Sequence, residues 1–273
     1  MKKYLPKILS ILSYLLPQLA AKIALNIFAT PTRIPRPISE MKAFEASKKF
    51  FLKNNIAAFQ WGEDHHPTVL LIHGWNGRGT QISAFYQQLV AKNFRVIALD
   101  GPGHGDSPGK KTNPGHYAQF IIDAQREIAP EGIHSLIAHS FGGGCAVLAA
   151  SRGLKTKSLV LVASPAFYDR VVEFFSNSLG LKAKSKIHFY KLVGQIAGID
   201  PRELNIGNLG KTLNIPALVV HDEDDNAVNF LSATSIIELW PGTLLLKTKG
   251  LGHRRILKDP QVITEVCDFI EKN

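Results

Sequence analysis

The sequence predicts an open α/β sheet that begins with an antiparallel pair of strands. Short runs rich in Val, Ile and Leu recur along the chain, and a glycine-bearing turn and a helical pattern follow them. Continuously apolar strands are typical of a parallel sheet whose faces are covered by the helices that cross between its strands. The chain has 273 residues, of which 45% are hydrophobic, and this suits one large domain.

The predicted elements follow this alternation from the first hairpin to the C-terminus. Residues 43–62 alternate between polar and apolar side chains and predict two antiparallel strands joined at Lys53-Asn54-Asn55. The parallel strands are predicted at 68–73, 95–100, 134–139, 158–164, 217–221 and 243–247. The helices between them are predicted at 81–91, 114–128, 141–152, 228–239 and 261–272.

Residues 1–37 are predicted to form an N-terminal segment ahead of a domain at 38–273. In this segment two short amphipathic helices meet at Pro17, and the proline-rich stretch 30–37 is typical of a linker. The basic and apolar start also resembles a signal peptide. Three hypotheses stay open: the helices pack on the domain, lie on a membrane surface, or are removed as a signal.

Charge and cysteine content bear on partners and compartment. The chain carries 32 Lys and Arg against 22 Asp and Glu, a net charge of +10 that suits an anionic partner. The basic residues are scattered without interleaved aromatic residues, so nucleic acid is not expected as a partner. Cys145 and Cys267 imply no disulfide framework, which favours a cytoplasmic protein. Residues 1–29 would allow peripheral membrane contact, a signal peptide at 1–21 would mean export, and the oligomeric state stays open.

One interval interrupts the alternation of strands and helices. Between Ser164 and Ala217 there is no convincing strand, and residues 171–179 and 186–196 have the pattern of amphipathic helices. The insertion follows the C-terminal end of a strand, which is where ligands bind in such sheets. We therefore predict a small helical cap at about 166–210, with a purely structural helix pair as the alternative.

The strongest chemical signal is the run Ala138-His139-Ser140-Phe141-Gly142, between a predicted strand and a predicted helix. A serine on so sharp a turn is strained, and the residues two positions before and after it must be small. The turn projects the hydroxyl above the sheet and directs free N–H groups of the helix at the same place. Ser140 is therefore the predicted nucleophile, with a glycine-rich turn and a merely capping serine as the alternative.

A serine nucleophile needs a histidine base, and the histidine needs an orienting carboxylate. The chain order on such a sheet is nucleophile, acid, histidine, and only His253 of the ten histidines follows the last carboxylate cluster. That cluster, Asp222-Glu223-Asp224-Asp225, follows a predicted strand. Asp225 is the predicted acid because it lies far enough into the loop to turn back towards a histidine, and Asp224 is the alternative. The other carboxylates are expected to cap the following helix or to face solvent.

Acyl chemistry also needs hydrogen-bond donors for an oxyanion. The backbone N–H of Phe141 is one candidate because it follows the serine. Trp75 is the second candidate, since the run His73-Gly74-Trp75 follows an early strand and its glycine lets the backbone approach a substrate. A plain turn is the alternative for this run. No metal site is predicted, because no second histidine lies at ligand spacing from His221 and its neighbouring carboxylates.

These motifs, in this order, resemble those of the α/β-hydrolase superfamily over residues 44–269. The matching features are the oxyanion loop at 73–75, the turn after the fourth strand at 100–107, the nucleophile elbow at 138–142, the acid Asp225 and the base His253. Two departures, Ala138 and Asp222 in place of common glycines, remove no catalytic atom. The resemblance implies an eight-stranded, mostly parallel sheet with strand two antiparallel and a small cap inserted after strand six.

The expected activity is that of a serine hydrolase acting on a small-molecule carboxylic ester or a related acyl bond, with no metal or organic cofactor. A serine nucleophile argues against dehalogenase or epoxide-hydrolase chemistry, for which the resemblance implies a carboxylate. Ester, thioester and amide substrates stay open. Two alternatives also remain: a non-catalytic binding module on the same fold, and a lipase or thioesterase that works at a lipid surface.

Overall fold

In the computed structural model, which describes residues 4–273, eight strands form one sheet. From β1 to β8 the strands are Lys48–Leu52, Ile56–Trp61, Thr68–Ile72, Arg95–Leu99, Ile133–His139, Thr156–Val162, Ala217–Asp222 and Leu244–Thr248. Their order across the sheet is β1-β2-β4-β3-β5-β6-β7-β8. Strand β2 runs antiparallel to β1 and β4, and every neighbouring pair from β4 to β8 is parallel. The predicted fold class is confirmed.

Twelve α-helices accompany the sheet in the described part of the chain. From α1 to α12 the helices are Leu5–Leu15, Pro17–Phe28, Ile38–Glu45, Tyr86–Ala91, Pro114–Ile128, Phe141–Ser151, Tyr168–Ser178, Ala183–Ala197, Ile206–Gly210, Leu231–Leu239, Gly252–Arg255 and Pro260–Lys272. Helices α5 and α12 start with proline after Asn113 and Asp259, whose side chains accept N–H groups of the first turn. These start signals explain why both helices begin within one residue of the predicted position.

The first hairpin begins later than the sequence pattern predicted. Residues 43–45 belong to α3, and a hydrogen bond from the N–H of Ala46 to the Lys42 carbonyl continues the helical turn. Alternation over so short a stretch fits a helix end as well as a strand, so the prediction of a strand here was wrong. Strand β1 starts at Lys48, and its turn to β2 lies at 53–55 as predicted.

Two predicted helices also start later than expected. Residues 79–85 form a 3-10 helix, and the α-helix α4 begins only after it. Helix α10 starts at Leu231 because the preceding N–H groups, those of Ala227 and Val228, are bound by the carboxylate of Asp225. Local side-chain hydrogen bonds of this kind compete with helix formation.

Helices cover both faces of the sheet. On one face, Tyr117 of α5 and Leu148 of α6 belong to a buried cluster that includes strand residues such as Leu136. On the other face, Leu89 of α4 and Val266 of α12 belong to a second buried cluster. All five residues of the central strand β3 are buried. This two-sided burial is the reason that the strands appear in the sequence as continuous apolar runs.

The N-terminal helices pack against the interval between β6 and β7, which contains α7, α8 and α9. Ala20, Ala21 and Ala24 of α2 have no exposed surface and belong to the same buried cluster as Phe189 and Val193 of α8. No helix within residues 4–273 is both long enough and apolar enough to cross a bilayer. The first lysines of the predicted basic start, at positions 2 and 3, lie outside the described residues.

A buried ion pair fastens the end of the linker to the domain. Glu40 of α3 accepts two hydrogen bonds from the Arg78 guanidinium, at 2.8 and 3.0 Å, and a third from the Thr80 hydroxyl at 2.6 Å. Arg78 also donates to the carbonyl of Ile34 at 2.9 Å. Both charged side chains are less than one tenth exposed. The loss of one partner would therefore leave a buried, uncompensated charge.

Replacement of Glu40 by alanine is expected to lower the free energy of unfolding by about 3–5 kcal/mol, because Arg78 would stay buried without a counter-charge. Urea denaturation followed by circular dichroism measures the change. Glu271→Ala is the matched control: Glu271 is half-exposed, and its partner Lys92 keeps a second carboxylate, Asp268, at 3.0 Å. The control is expected to change stability by less than about 1 kcal/mol. Equal effects of the two substitutions would contradict the importance of the buried pair.

Candidate active site

Ser140 lies on the sharp turn between β5 and α6, with φ 53° and ψ −122°. Residues with a side chain rarely adopt this conformation. The surrounding backbone is crowded: a Cβ added to Gly142 would lie 2.6 Å from the carbonyl oxygen of His73, and one added to Gly74 would lie 3.0 Å from the Cβ of Ser140. Ala138, at the other position where a small residue is needed, is fully buried in β5. The predicted strand-to-helix serine turn is therefore present.

His253 lies within hydrogen-bond distance of both Ser140 and Asp225. Its Nε2 is 3.1 Å from the Oγ of Ser140, and its Nδ1 is 2.7 Å from the Oδ2 of Asp225. A carboxylate only accepts hydrogen bonds, so Nδ1 carries the ring proton and Nε2 accepts the serine O–H. The structure thus brings together the three residues that the sequence predicts as nucleophile, base and acid, although 113 residues separate the serine from the histidine.

Asp225 has a fully buried side chain that is nevertheless well supplied with donors. Burial opposes ionisation of this carboxyl. Hydrogen bonds from His253 and from the N–H groups of Val228 and Ala227 outweigh burial and keep the pKa of Asp225 below its usual range. The group is therefore an anion near neutral pH, where it favours the tautomer of His253 that leaves Nε2 free to accept a proton.

A second buried aspartate, Asp222, holds the loop that carries His253. Its carboxylate accepts the N–H groups of Leu251 and Gly252 at 3.0 and 2.9 Å and the hydroxyl of Thr248 at 2.7 Å. Although burial opposes ionisation, these donors keep the pKa of the Asp222 carboxyl below its usual range.

The expectation that the remaining carboxylates of the cluster cap the next helix or face solvent is therefore wrong for Asp222, which has no exposed surface. The reason is topological: β7 and β8 are adjacent and parallel, so the loops that leave their ends meet. Asp224, the alternative acid, binds the same loop through the N–H of Gly250 at 3.0 Å and not through His253.

Two buried histidines support these loops, and the sequence argument assigned neither of them a role. His139 donates from Nε2 to the carbonyl of His253 at 2.9 Å, and burial lowers the pKa of His139 to about 3. His221 donates from Nε2 to the carbonyl of Val228 at 2.9 Å and lies 3.5 Å from Asp225. Each belongs to an apolar strand near its C-terminal end, and a buried polar side chain needs a partner. A histidine near the C-terminal end of an apolar strand was therefore the sequence signal that could have identified both residues.

The two predicted oxyanion donors, Trp75 and Phe141, line the same cavity as Ser140. Phe141 is the first residue of α6, where a backbone N–H has no acceptor within the helix. Trp75 follows Gly74, and Gly74 lies close to Ser140, so the loop after β3 contacts the serine turn. The rings of Trp75 and Phe141 pack edge to face with 5.1 Å between their centroids. This packing keeps both backbone segments beside the serine.

A cavity of about 550 Å³ adjoins Ser140, and most of its wall is apolar. Phe167 and Phe175, from the interval between β6 and β7, form one part of the wall, and Phe28 of α2 forms another. The ring of Phe28 lies 4.8 Å from that of Phe175 and 6.2 Å from that of Tyr168. An apolar cavity of this size suits a ligand with a hydrocarbon part. The contribution of α2 was not predicted, since an amphipathic pattern shows a buried face but not its neighbour.

Known proteins share both sequence and architecture with this chain. Residues 69–204 match the Alpha/beta hydrolase family. Human Protein ABHD12B is 26% identical over 241 residues, which cover 77% of this chain and 62% of that protein. Lysophosphatidylserine lipase ABHD12 of Danio rerio is 24% identical over 240 residues, which cover 76% of this chain and 59% of that protein. The matches thus span about three fifths of the length of these two relatives.

A solved structure extends the likeness beyond the matched family region. The esterase PF2001 of Pyrococcus furiosus superimposes with a TM-score of 0.64 at 18% identity, covering 89% of this chain and 97% of that chain. At this low sequence identity, the superposition is evidence for the fold alone. The region matched to the family runs from β3 into the interval after β6 and contains the strained turn at Ser140. The chain belongs to the α/β hydrolase family.

Proposed function

We propose that the protein is a serine hydrolase that cleaves a carboxylic ester or a related acyl bond through an acyl-enzyme. The observation that carries this proposal is the pair of hydrogen bonds that links Ser140 through His253 to Asp225, at 3.1 and 2.7 Å, beside an apolar cavity. A free hydroxyl is a weak nucleophile, and an adjacent oriented base activates it. A relative named as a lysophosphatidylserine lipase and a structural neighbour named as an esterase support the same class of chemistry.

In the acylation step, the Oγ of Ser140 attacks the carbonyl carbon of the substrate while its proton moves to Nε2 of His253. The carboxylate of Asp225 stabilises the imidazolium that forms and keeps the ring oriented. The N–H groups of Trp75 and Phe141 bind the negative charge that develops on the carbonyl oxygen. Collapse of the tetrahedral intermediate breaks the bond to the leaving alcohol, which takes the proton from His253.

In the deacylation step, a water molecule attacks the acyl-enzyme and gives one proton to His253. The second tetrahedral intermediate releases the carboxylic acid, and His253 returns the proton to Ser140. The aromatic wall of the cavity favours an apolar acyl group, since each methylene removed from water contributes about 0.8 kcal/mol. Thioesters and amides would use the same groups, so the choice of an ester as substrate rests on the cavity and on the named relatives.

Ser140→Ala is expected to lower kcat for short p-nitrophenyl esters by at least about 10⁴-fold and to abolish labelling by a fluorophosphonate probe. Gel-based labelling and steady-state kinetics measure both effects. The control is Ser151→Ala, at the other end of α6, where the hydroxyl only binds the carbonyl of Leu148; this variant should keep activity and labelling. A native wild-type protein that neither reacts with the probe nor hydrolyses esters would instead be a binding module on this fold.

We expect Asp222→Asn to lower kcat by about tenfold to a hundredfold with little change in KM. Asp222 does not contact substrate in this proposal, but an amide in its place would face the N–H groups of Leu251 and Gly252 and release the loop that carries His253. Ester hydrolysis and circular dichroism are measured together. Asp224 is an exposed neighbour with one hydrogen bond to the same loop, and Asp224→Asn should lower kcat by less than about threefold. Equal losses in both variants would contradict a special role for Asp222.

Phe28→Ala is expected to shift the preferred acyl chain towards longer esters, by about two methylenes, because the side chain removed forms part of the cavity wall. The measurement is kcat/KM over a series of p-nitrophenyl esters of increasing acyl length. Phe50→Ala, a partly buried phenylalanine on β1 and outside the cavity lining, is the control and should leave the profile unchanged. A uniform decrease in kcat/KM at all acyl chain lengths would show that Phe28 contributes to stability and not to the choice of substrate.

A further inference from the structure

Helix α1 exposes large apolar side chains to solvent. Fifteen large hydrophobic side chains are exposed within residues 4–273, and seven of them lie in residues 4–19. These seven are Tyr4, Ile8, Ile11, Tyr14, Leu15, Leu16 and Leu19, with exposed fractions between 45% and 79%. Exposed apolar residues that are scattered singly need no explanation, but a concentration of this kind marks an interaction surface.

The exposed side chains of α1 form one stripe. Ile8, Ile11 and Leu15 are three or four positions apart, which places them on the same side of the helix. Leu9 and Ser13 lie on the opposite side and are buried. We call the exposed side chains Ile8, Ile11, Tyr14 and Leu15 the α1 stripe. A helix that is apolar on its outer as well as its inner side is one whose outer side has its own partner.

The inner side of α1 is fastened to the turn between α7 and α8. Ser13 accepts the N–H of Lys182 on its hydroxyl at 3.2 Å, and its carbonyl accepts the hydroxyl of Ser185 at 3.3 Å. A Cβ added to Gly180 would lie 3.1 Å from the carbonyl of Pro6, so the two segments touch through their backbones. These contacts hold the α1 stripe outward.

The segments that form α1, α2 and α8 carry formal charges of one sign. No Asp or Glu precedes Glu40 in the sequence, and residues 174–199, which include α8, contain none either. Exposed lysines lie on all three helices, at Lys7, Lys22 and Lys184. An apolar stripe flanked by lysines and exposed tyrosine is the composition of helices that lie in the interface of an anionic bilayer.

We propose that the α1 stripe docks the protein on the surface of an anionic lipid bilayer, with the helix in the plane of the interface. The apolar side chains enter the boundary between headgroups and acyl chains, and Lys7, Lys22 and Lys184 meet the lipid phosphates. A second copy of the chain is the less suitable occupant. A two-fold contact would place the same surface on both partners, so these lysines would approach one another.

Docking has a consequence for the cavity. Helix α2 begins next to the α1 stripe and ends about 18 Å further on at Phe28, in the cavity wall. In a docked protein the cavity wall at Phe28 would therefore lie within about 18 Å of the start of α2 beside the α1 stripe. The consequence for turnover of lipid substrates rests on the proposed function, whereas binding to vesicles does not.

Co-sedimentation with vesicles tests the docking. Wild-type protein is expected to bind phosphatidylcholine–phosphatidylglycerol vesicles more tightly than vesicles of phosphatidylcholine alone. The triple variant Ile8→Gln, Ile11→Gln, Leu15→Gln should lower the partition coefficient at least about tenfold. Leu244→Gln, which replaces a large apolar side chain of comparable exposure on the edge strand β8, is the control and should bind like wild type.

The lysines are tested separately with Lys7→Gln and Lys22→Gln combined. Binding of this variant to the anionic vesicles should fall several-fold at low salt, and the difference from wild type should shrink as ionic strength rises. Equal binding of wild type to both kinds of vesicle, or no effect of the lysine variant, would overturn the assignment to an anionic surface.

Two further outcomes would overturn the proposal as a whole. One is that wild type binds neither kind of vesicle or binds no better than the triple variant. The other is a wild-type dimer in sedimentation equilibrium without lipid that the triple variant dissociates, since the stripe would then be a contact between copies. Ser140→Ala should bind vesicles like wild type. Docking and hydrolysis can therefore fail independently.

Discussion

Ser140 holds a positive φ of 53° between a buried strand and a helix, and the rest of the site is arranged around this strained residue. Such a conformation costs on the order of 1–3 kcal/mol and persists only where the surrounding packing imposes it. The packing here consists of β5 in the middle of the sheet, α6 on one face, and two glycines that bring the β3 loop against the turn. The same turn sends the hydroxyl into the cavity and leaves the first N–H of α6 beside it.

Asp222, at the end of β7, and Asp225, in the loop that follows, together position His253. Asp222 binds the backbone of the histidine loop, and Asp225 binds the imidazole ring itself. Both carboxyls are buried and both have a pKa below the usual range, because several hydrogen-bond donors surround each of them. Burial of a charge is tolerable when its hydrogen-bonding capacity is filled in this way. The acidic run at the end of β7 therefore stabilises the histidine loop and also supplies one proposed catalytic group.

The sequence by itself determined the sheet and the order of the chemical groups. Strands buried on both faces must be apolar throughout, so β3 to β7 stand out as continuous runs, and the helix starts at Asn113 and Asp259 are encoded by local capping. Ser140 was recognisable because a strained turn restricts its immediate neighbours. His253 was selected by chain order, and Asp225 was selected among neighbouring carboxylates by its position in the loop. Each of these inferences uses a property that is local to a segment or carried by the order of segments.

Only the tertiary structure decided which segments meet. Residues 43–45 alternate like a strand but continue a helix, since so short a pattern does not distinguish the two. The hydrogen bonds from the histidine loop to Asp222 form because β7 and β8 are adjacent. Phe28 lies in the cavity wall because α2 packs on α8. The outward stripe of α1 exists because the opposite side is fastened by Ser13. Contacts between distant segments depend on which surfaces fit together, and periodicity along the chain records that a surface is buried but not what covers it.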